Sequence, residues 1–234
     1  MNVIITGASK GIGYETVKIF ASNPGNNIIA IARNLELLDK LRSECSSKQA
    51  GSEVTILPCD LMDEGQIKKL PVRIREFFSS VDILINCAGL LVNSAFEKFT
   101  PEDFDRIFSV NVKSVFRLIQ ELMPFFKPGS HIVNIGSMGG FQGSSKFRGL
   151  SLYSASKGAL AVLTECMAEE LKDKEITVNC LALGSAQTEM FSKAFPGSKA
   201  MLPASQMAEF IADFASVSGK FMNGKIIPVS LGTP

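Results

Sequence analysis

Short runs of β-branched residues alternate along the chain with longer segments whose apolar residues recur at helical spacing. The runs predict seven strands, at residues 3–6, 27–32, 53–58, 81–86, 131–135, 177–181 and 225–229. The segments between them predict helices at residues 12–22, 35–46, 64–78, 101–126, 152–172 and 205–217. Strands that alternate with helices are joined by parallel crossovers, which place helices on both faces of the sheet. The pattern therefore predicts a three-layer α/β fold around a central parallel sheet of about seven strands.

The composition is that of an ordinary globular protein. Of 234 residues, 46% are hydrophobic and 20% are charged, which predicts a single domain spanning residues 1–234. Lys and Arg total 24 against 23 Asp and Glu, so the net charge predicts neither a nucleic-acid nor a membrane partner. No apolar run approaches the roughly 18 residues of a membrane span, and Met1 leads into an apolar strand without a charged leader region. We therefore expect a cytoplasmic protein.

The cysteines and the single histidine give no sign of a metal site. Cys45, Cys59, Cys87, Cys166 and Cys180 form an odd-numbered set without the two-residue spacing of zinc or redox pairs. Reduced, buried thiols are the more ordinary interpretation. His131 begins a predicted strand away from the expected pocket, so we interpret it as structural. We expect no bound metal.

A glycine-rich turn at residues 6–13 follows the first predicted strand and opens the first helix. Gly7 permits a tight turn, Gly11 lets the backbone approach a pyrophosphate, and Gly13 allows helix and strand to pack closely. The helix N-terminus then offers unpaired N–H donors to the anion. An ordinary glycine turn is the alternative, but the order of strand, glycines and helix predicts a dinucleotide site. Its predicted contacts are Gly7, Ser9, Lys10, Gly11, Ile12 and Gly13.

Arg33 indicates which dinucleotide this site prefers. It follows the second strand, where NAD-binding proteins of this type usually carry an acid for the ribose 2′-hydroxyl, and the first acid nearby is Glu36. Arg33 could instead bind a 2′-phosphate through the paired N–H donors of its guanidinium, and Lys10 could bind the same group through its ammonium. Both could also be ordinary surface cations. The sequence favours NADP(H) over NAD(H).

Several further motifs, in order and spacing, resemble the short-chain dehydrogenase/reductase family. They are Asp60-Leu61 after the third strand, Asn86-Cys87-Ala88-Gly89 after the fourth, Asn111, Ser137, and Tyr153-Ser154-Ala155-Ser156-Lys157. Each motif is weak alone, but together with the glycine turn they span most of the chain. The resemblance implies a doubly wound Rossmann fold and hydride transfer with a nicotinamide cofactor.

The resemblance also implies a catalytic tetrad of Asn111, Ser137, Tyr153 and Lys157. Tyr153 and Lys157 are four residues apart and would share one helix face. An unperturbed tyrosine titrates near pH ~10, so we expect the Lys157 ammonium and an oxidised nicotinamide to lower the pKa of Tyr153 for proton exchange with the substrate oxygen. Ser137 would hydrogen-bond that oxygen. By resemblance, Lys157 also holds the ribose, and the Asn111 carbonyl holds a proton-relaying water. Each residue has an ordinary structural alternative when considered alone.

Other cofactor contacts are implied by the same resemblance. Asp60 and Leu61 would lie beside the adenine, although Asp60 could also cap the helix that starts at residue 64. The contacts expected along the rest of the cofactor are Asn86, Ala88, Gly89, Gly184, Ala186 and Thr188. Leu183 stands where the family usually has proline, so we expect a more mobile loop that still binds the cofactor.

Two segments at the expected substrate end differ from many family members. The loop before Tyr153 is slightly long and carries Lys146 and Arg148, which could bind an anionic substrate or a carrier, or could simply be solvated. The segment 189–203 carries apolar residues that suit either a hydrophobic ketone or ordinary core packing.

The sequence thus predicts an NADP(H)-dependent oxidoreductase for a small carbonyl or secondary alcohol. A 3-oxoacyl-thioester reductase is the alternative enzyme, and a non-enzymatic NADP(H) sensor is the alternative of another class. Apolar positions in the helices at 101–126 and 152–172 exceed what one sheet face needs. We therefore expect a homodimer or homotetramer.

Overall fold

The computed structural model describes residues 1–46 and 52–232. Its strands are β1 (Asn2–Thr6), β2 (Asn27–Ala32), β3 (Glu53–Pro58), β4 (Val81–Asn86), β5 (Phe126–Ile135), β6 (Thr177–Leu183), β7 (Ala186–Gln187), β8 (Leu202–Pro203) and β9 (Ile226–Val229). Seven of them form a wholly parallel sheet in the order β3-β2-β1-β4-β5-β6-β9. The short β7 and β8 pair separately. The predicted central parallel sheet of seven strands is confirmed.

Helices cover both faces of this sheet. They are α1 (Gly11–Ala21), α2 (Leu35–Ser46), α3 (Glu64–Arg75), α4 (Pro101–Phe108), α5 (Ser114–Leu122), α6 (Ser151–Glu170), α7 (Glu189–Ala194) and α8 (Ala204–Val217). Alternate strand residues enter two separate apolar clusters: Val3 and Ile5 pack with α1, α2 and α8, whereas Ile4 packs with α3, α5 and α6. All three are fully buried. Strands buried on both faces need continuous apolar runs, and the three-layer fold predicted from those runs is confirmed.

The chain changes direction across the sheet between β1 and β4. It proceeds from β1 through β2 to the edge strand β3, then returns to the other side of β1 as β4 and continues outward. Connections that diverge in this way leave a crevice at the carboxyl ends of the strands. Thr6, the last residue of β1, joins the two sides because its Oγ1 accepts hydrogen bonds from the Cys87 and Ala88 N–H groups, each at 3.1 Å.

The long helix predicted at residues 101–126, with a break allowed before Pro124, is interrupted there and also at residues 109–113. Thr100 caps α4. A π-helical turn, Ser109–Lys113, separates α4 from α5, and a 3-10 turn follows α5. That turn contains Pro124, which lacks the N–H that a continuing helix would need. Phe126 already belongs to β5.

Other predicted boundaries differ by less. β5 begins at Phe126 rather than His131, because its polar and glycine residues 127–130 gave no apolar pattern. The remaining ends shift by three residues or fewer, such as α3 ending at Arg75 instead of residue 78. Helix α7 and the β7–β8 pair were not predicted. None of the helices in the described part of the chain is long and apolar enough to cross a bilayer.

Candidate active site

A cleft of about 1040 Å³ opens at the carboxyl ends of the strands, where the chain changes direction across the sheet. It brings together residues from both ends of the sequence. The predicted site residues that line it are Gly7, Ser9, Lys10, Gly11, Ile12, Gly13, Arg33, Asp60, Leu61, Ala88, Gly89, Ser137, Tyr153, Lys157, Gly184, Ala186 and Thr188. Asn86 and Asn111, which were also predicted, lie below its surface and do not line it.

The glycine turn has the shape that its sequence predicted. Gly7 has a φ of +69°, and a Cβ there would lie 2.8 Å from the Ala88 Cα. A Cβ on Gly13 would lie 2.5 Å from the Gly7 carbonyl oxygen. Helix α1 begins within the turn, at Gly11, so its first N–H groups lack intrahelical partners at the edge of the cleft. This arrangement fits a pyrophosphate.

The two cations predicted for a 2′-phosphate stand in different surroundings. Arg33 is exposed on the wall of the cleft and makes no ion pair with any described residue. Lys10, by contrast, pairs with Glu189 at the start of α7, with 2.6 Å between Nζ and Oε2. Arg33 is therefore the cation left open to an anionic group.

Asp60 and its neighbours follow β3 on the same wall. The Asp60 carboxylate accepts a hydrogen bond from the Met62 N–H at 3.0 Å, so it orders its own turn. The suggestion that Asp60 caps α3 is wrong, because Asp63 does so through the Gly65 and Gln66 N–H groups. Asp60 remains at the cleft surface, where it can meet a bound ring.

Tyr153 and Lys157 lie one turn apart on α6. Burial raises the pKa of Tyr153 to about 12, although a hydrogen bond with the Ser137 hydroxyl acts in the opposite direction. Burial also lowers the pKa of Lys157. The Lys157 Nζ donates to the Ile135 carbonyl at 2.7 Å and lies 5.9 Å from the centre of the Tyr153 ring. In the chain alone, burial and Ser137 rather than Lys157 act on the pKa of Tyr153. The lowering expected from Lys157 together with an oxidised nicotinamide stays a prediction.

Ser137 is positioned by a turn whose role the sequence reasoning missed. It caps the 3-10 turn Met138–Gly140 by accepting a hydrogen bond from the Gly139 N–H at 3.1 Å. A Cβ on Gly140 would lie 2.5 Å from the Gly158 nitrogen in α6. The turn and the helix therefore meet backbone to backbone, which holds Ser137 beside Tyr153. Glycines at positions 139, 140 and 158 were the feature of the sequence that could have indicated this close backbone contact.

Asn111 occupies the π-helical turn and is fully buried. Its Oδ1 accepts from the Leu90 N–H at 2.8 Å, and its Nδ2 donates to the Leu90 carbonyl and to the Ser156 Oγ, both at 2.9 Å. The Ser156 hydroxyl in turn donates to the Tyr153 carbonyl at 2.7 Å. These contacts use both N–H groups and one lone pair of the amide oxygen, so the side chain fixes the β4 loop against α6. The water on the Asn111 backbone carbonyl stays a prediction.

Asn86 also acts within the fold rather than at the surface of the cleft. Its Nδ2 donates to the Asn134 Oδ1 on the neighbouring strand at 2.9 Å, and it is buried. Asn86 thus supports the strand end from which Ala88 and Gly89 reach the cleft, and the prediction that it contacts the cofactor stays a prediction.

The turn after β6 begins with Leu183 in place of the proline that is usual in the family. Leu183 is buried and pairs with Val229, so it simply extends β6. The next residue, Gly184, donates to the Val229 carbonyl at 2.8 Å. Thr188 then caps α7 by accepting from the Phe191 N–H at 3.1 Å. Thr188 also touches the glycine turn, since a Cβ on Gly11 would lie 3.2 Å from its methyl carbon.

Comparison with known proteins agrees with this geometry. The model of the short chain dehydrogenase family matches residues 1–199. The chain belongs to this family. Among curated relatives, the 3-oxoacyl-acyl-carrier-protein reductase FabG of Thermotoga maritima is 29% identical, over 98% of this chain and 96% of that protein. The trihydroxynaphthalene reductase of Colletotrichum orbiculare is 26% identical, over 97% of this chain and 86% of that protein.

Solved structures of the family have the same fold as this short-chain dehydrogenase. One from Burkholderia cenocepacia, in complex with NADP, matches with a TM-score of 0.87 at 26% identity, covering 98% of this chain and 96% of its own. The family is one of oxidoreductases, and NADP complexes occur among its solved members.

Two further expectations concern residues near the site. Lys146 folds onto its own loop, where its Nζ donates to the Phe141 carbonyl at 2.7 Å and the Ser144 hydroxyl at 2.8 Å. Arg148 is exposed and does not line the cleft. His131 is buried outside the cleft, with 2.9 Å from its Nδ1 to the Ala215 carbonyl, in agreement with a structural role.

Proposed function

We propose that this chain catalyses reversible hydride transfer between NADP(H) and a carbonyl or secondary alcohol. One observation carries the proposal: the side chains of Tyr153 and Ser137, which are close enough for Ser137 to act on the pKa of Tyr153, stand in the same cleft as the glycine turn and Arg33. A proton donor for an oxygen and a binding wall for a dinucleotide are the two things that this chemistry needs from a protein.

The residues of the cleft fit a dinucleotide along its length. The N-terminus of α1 and the glycines before it would hold the pyrophosphate. Arg33 would bind the 2′-phosphate, Asp60 and Leu61 would flank the adenine, and Ala88 and Gly89 would lie along the middle. Gly184, Ala186 and Thr188 would bind near the nicotinamide. When bound, the cofactor supplies or accepts the hydride.

Tyr153 and Ser137 would act on the substrate oxygen. Burial raises the pKa of Tyr153 further above neutral pH, so Tyr153 would act as the proton donor when a carbonyl is reduced. Ser137 would hydrogen-bond the same oxygen as negative charge develops on it. Lys157 would hold the ribose and return a proton toward Tyr153, through a water on the Asn111 carbonyl. In the oxidative direction, Tyr153 must first lose its proton.

The decisive experiment follows NADPH absorbance with a panel of ketones and aldehydes, comparing wild type with Tyr153→Phe. We expect turnover that the variant lowers by about a hundredfold or more, the scale of general acid catalysis. Tyr14→Phe removes the only other tyrosine, on α1 and outside the cleft, and serves as the matched control. Equal turnover by wild type and Tyr153→Phe would contradict the proposal.

Reduction of 3-oxoacyl thioesters is a second candidate function. It is supported by similarity to the Thermotoga maritima reductase, and Arg148 is exposed near the site. Lys146, however, is already bonded within its loop. Turnover of acetoacetyl-pantetheine with a kcat/KM above that of simple ketones would favour this candidate, and its absence would remove it.

The third candidate is an NADP(H) sensor without catalysis. It would be favoured by tight NADPH binding together with no turnover on any carbonyl or thioester. The neighbouring side chains of Ser137 and Tyr153 have no use in such a protein, which is why catalysis is the better-supported proposal.

We propose further that the protein is cytoplasmic and works as a homodimer or homotetramer. Phe104, Phe116 and Val162 project from α4, α5 and α6 with exposed fractions of 46%, 43% and 58%. Large apolar side chains on neighbouring helices favour association with a second copy. Light scattering at micromolar concentration should give at least twice the 25.3 kDa mass of the chain, and a monomeric mass would contradict this proposal.

A further inference from the structure

Three phenylalanine rings face one another at the end of the cleft that is remote from Arg33. The centres of Phe191 and Phe195 lie 5.2 Å apart, and those of Phe147 and Phe195 lie 6.1 Å apart in an edge-on arrangement. All three line the cleft. We refer to Phe147, Phe191 and Phe195 as the aromatic wall. Offset and edge-on pairs at these separations are favourable for aromatic rings.

The aromatic wall is held in place from two directions. Phe147 belongs to the loop before α6. The Ser94 N–H holds this loop in place by donating a hydrogen bond to the Gly149 carbonyl at 3.0 Å. The other two rings of the wall are carried by α7 and the residue after it, and the Asn93 Nδ2 donates to the Ala194 carbonyl at 2.7 Å. One segment after β4 therefore anchors both halves of the wall.

Thioethers complete the surface around these rings. Met138, Met190 and Met201 line the same part of the cleft, and Phe147 is itself 44% exposed. Sulfur makes favourable contacts with aromatic rings, and methionine adapts its shape to the group beside it. The Phe147 ring and the exposed side chains of Met190 and Met201 are thus open to a flat apolar ligand, whereas Met138 is buried.

Charge is nearly absent from this end. Among the described residues that line it, the charged side chains are Glu189, Lys193 and Lys10, and Glu189 pairs with each of the two lysines at 2.6 Å. Lys146 is bonded within its own loop. A carboxylate or phosphate on the substrate would find no free cation here. The polar groups that face a reacting oxygen are the hydroxyls of Ser137 and Tyr153.

We propose that the substrate is an uncharged ketone whose carbonyl carries an aryl group, with the aryl ring lying against the aromatic wall. The proposal rests on the proposed function. In the reaction, the hydride of NADPH passes to the carbonyl carbon, the proton of Tyr153 passes to the oxygen, and an aryl carbinol and NADP⁺ result. The ring makes its contacts with the wall while the oxygen reaches Ser137 and Tyr153.

The test compares three matched ketones: acetophenone, cyclohexyl methyl ketone, and the para-carboxylate of acetophenone. We expect the highest kcat/KM for acetophenone and at least a tenfold lower value for the carboxylate. Phe195→Leu and Phe147→Leu remove a ring but keep the side chain apolar. Each should lower the ratio of acetophenone to cyclohexyl ketone kcat/KM by about two- to tenfold, the range of an aromatic pair.

The control is Phe221→Leu, at a ring that is 78% exposed and outside the cleft. It should leave the ratio unchanged. Phe147→Leu should fold normally because its ring is already partly in solvent, so the test does not depend on the stability of Phe195→Leu. Equal preference for the cyclohexyl ketone, or a ratio that neither leucine variant moves, overturns the inference while the proposed function stands.

Binding separates failure of this inference from failure of the proposed function. Saturation-transfer NMR of acetophenone with the protein and NADP⁺ should show its ring protons close to the protein, with a weaker signal in Phe195→Leu. If the ring binds in this way and no ketone is turned over, the proposed function fails and the aryl site stands. If acetophenone gives no signal and no turnover, the inference is overturned.

Discussion

Lys10 and Glu189 form an ion pair across the cleft, with 2.6 Å between Nζ and Oε2. Lys10 belongs to the glycine turn and Glu189 is the first residue of α7, so the contact joins the two sides of the proposed cofactor site. The other carboxylate oxygen of Glu189 lies 2.6 Å from the Lys193 Nζ. Glu189 therefore neutralises a cation that would otherwise face an anionic cofactor.

Removing the charge of Glu189 should strengthen cofactor binding. In Glu189→Gln, Lys10 becomes free to attract the phosphates, and we expect NADPH to bind up to about fivefold more tightly, the scale of one exposed ion pair. The gain should shrink at high salt, which screens exposed charges. Fluorescence titration with NADPH at low and high salt measures both effects.

Lys193→Gln is the matched control for this prediction, because it breaks the pair within α7 and leaves Lys10 bonded to Glu189. Its affinity should stay within about twofold of wild type. The pKa of Glu189 is lowered to about 2, chiefly by Lys10 and then by Lys193. The carboxylate thus stays charged above about pH 4, and the gain should be constant from about pH 5 to 8. Weaker NADPH binding by Glu189→Gln would contradict the idea that Glu189 and the cofactor compete for Lys10.

Arg33 should set the preference for NADPH over NADH. A charged hydrogen bond to a 2′-phosphate contributes about 1–3 kcal/mol, so Arg33→Ala should lower the ratio of the two affinities by about five- to 150-fold. Arg33→Lys keeps the positive charge but loses the paired N–H donors of the guanidinium, so its affinity ratio should lie between those of wild type and Arg33→Ala. The control is Arg42→Ala, on α2 and already paired with Asp39. Wild type that binds NADH as tightly as NADPH would refute the cofactor assignment.

Local patterns were enough to predict most of the fold and much of the cleft. The strands are buried on both faces, so their apolar runs are continuous and easily recognised. The glycine turn at Gly7 and Gly13 was readable because close backbone contacts admit no other residue there. Since the carboxyl ends of parallel strands share one edge, Arg33, Asp60, Ser137 and Gly184 meet at the same cleft.

Features set by distant contacts could not be predicted in this way. Lys10 and Glu189 are 179 positions apart, and nothing near either residue indicates the pair. The helix break at Asn111 accompanies hydrogen bonds from its amide to Leu90 and Ser156, which only the folded chain brings together. The raised pKa of Tyr153 likewise depends on burial, which the spacing to Lys157 does not reveal.

Tyr153 should show its protonation state directly in the absorbance of the phenolate. The chain has two tyrosines and no tryptophan, so in Tyr14→Phe the phenolate signal belongs to Tyr153 alone. Burial raises its pKa to about 12, and no phenolate should form below about pH 10, where a free tyrosine is half ionised. A phenolate titration midpoint near or below pH ~10, measured without cofactor, would contradict the raised pKa of Tyr153.

The rate of carbonyl reduction should follow the same titration. The proton donor is the protonated phenol, so raising the pKa of Tyr153 keeps the reductive kcat/KM level from about pH 6 to 9. Oxidation needs the phenolate, and its rate should rise with pH over that range. A reductive rate that falls through pH ~7 would show that another group donates the proton.

Gly140 and Gly158 face each other where the turn after Ser137 meets α6, and their substitutions should have opposite effects. In Gly140→Ala the new Cβ would lie 2.5 Å from the Gly158 nitrogen, and overpacking of this kind costs about 1–3 kcal/mol of unfolding free energy. The Cβ of Gly158→Ala would lie 3.4 Å from the Gly140 oxygen, an ordinary contact, and alanine gains up to about 1 kcal/mol of helix propensity. Urea unfolding measures both changes. We expect Gly140→Ala also to push Ser137 away from Tyr153, so its turnover should fall, whereas Gly158→Ala should keep wild-type activity. Equal unfolding free energies of the two variants would refute the backbone contact.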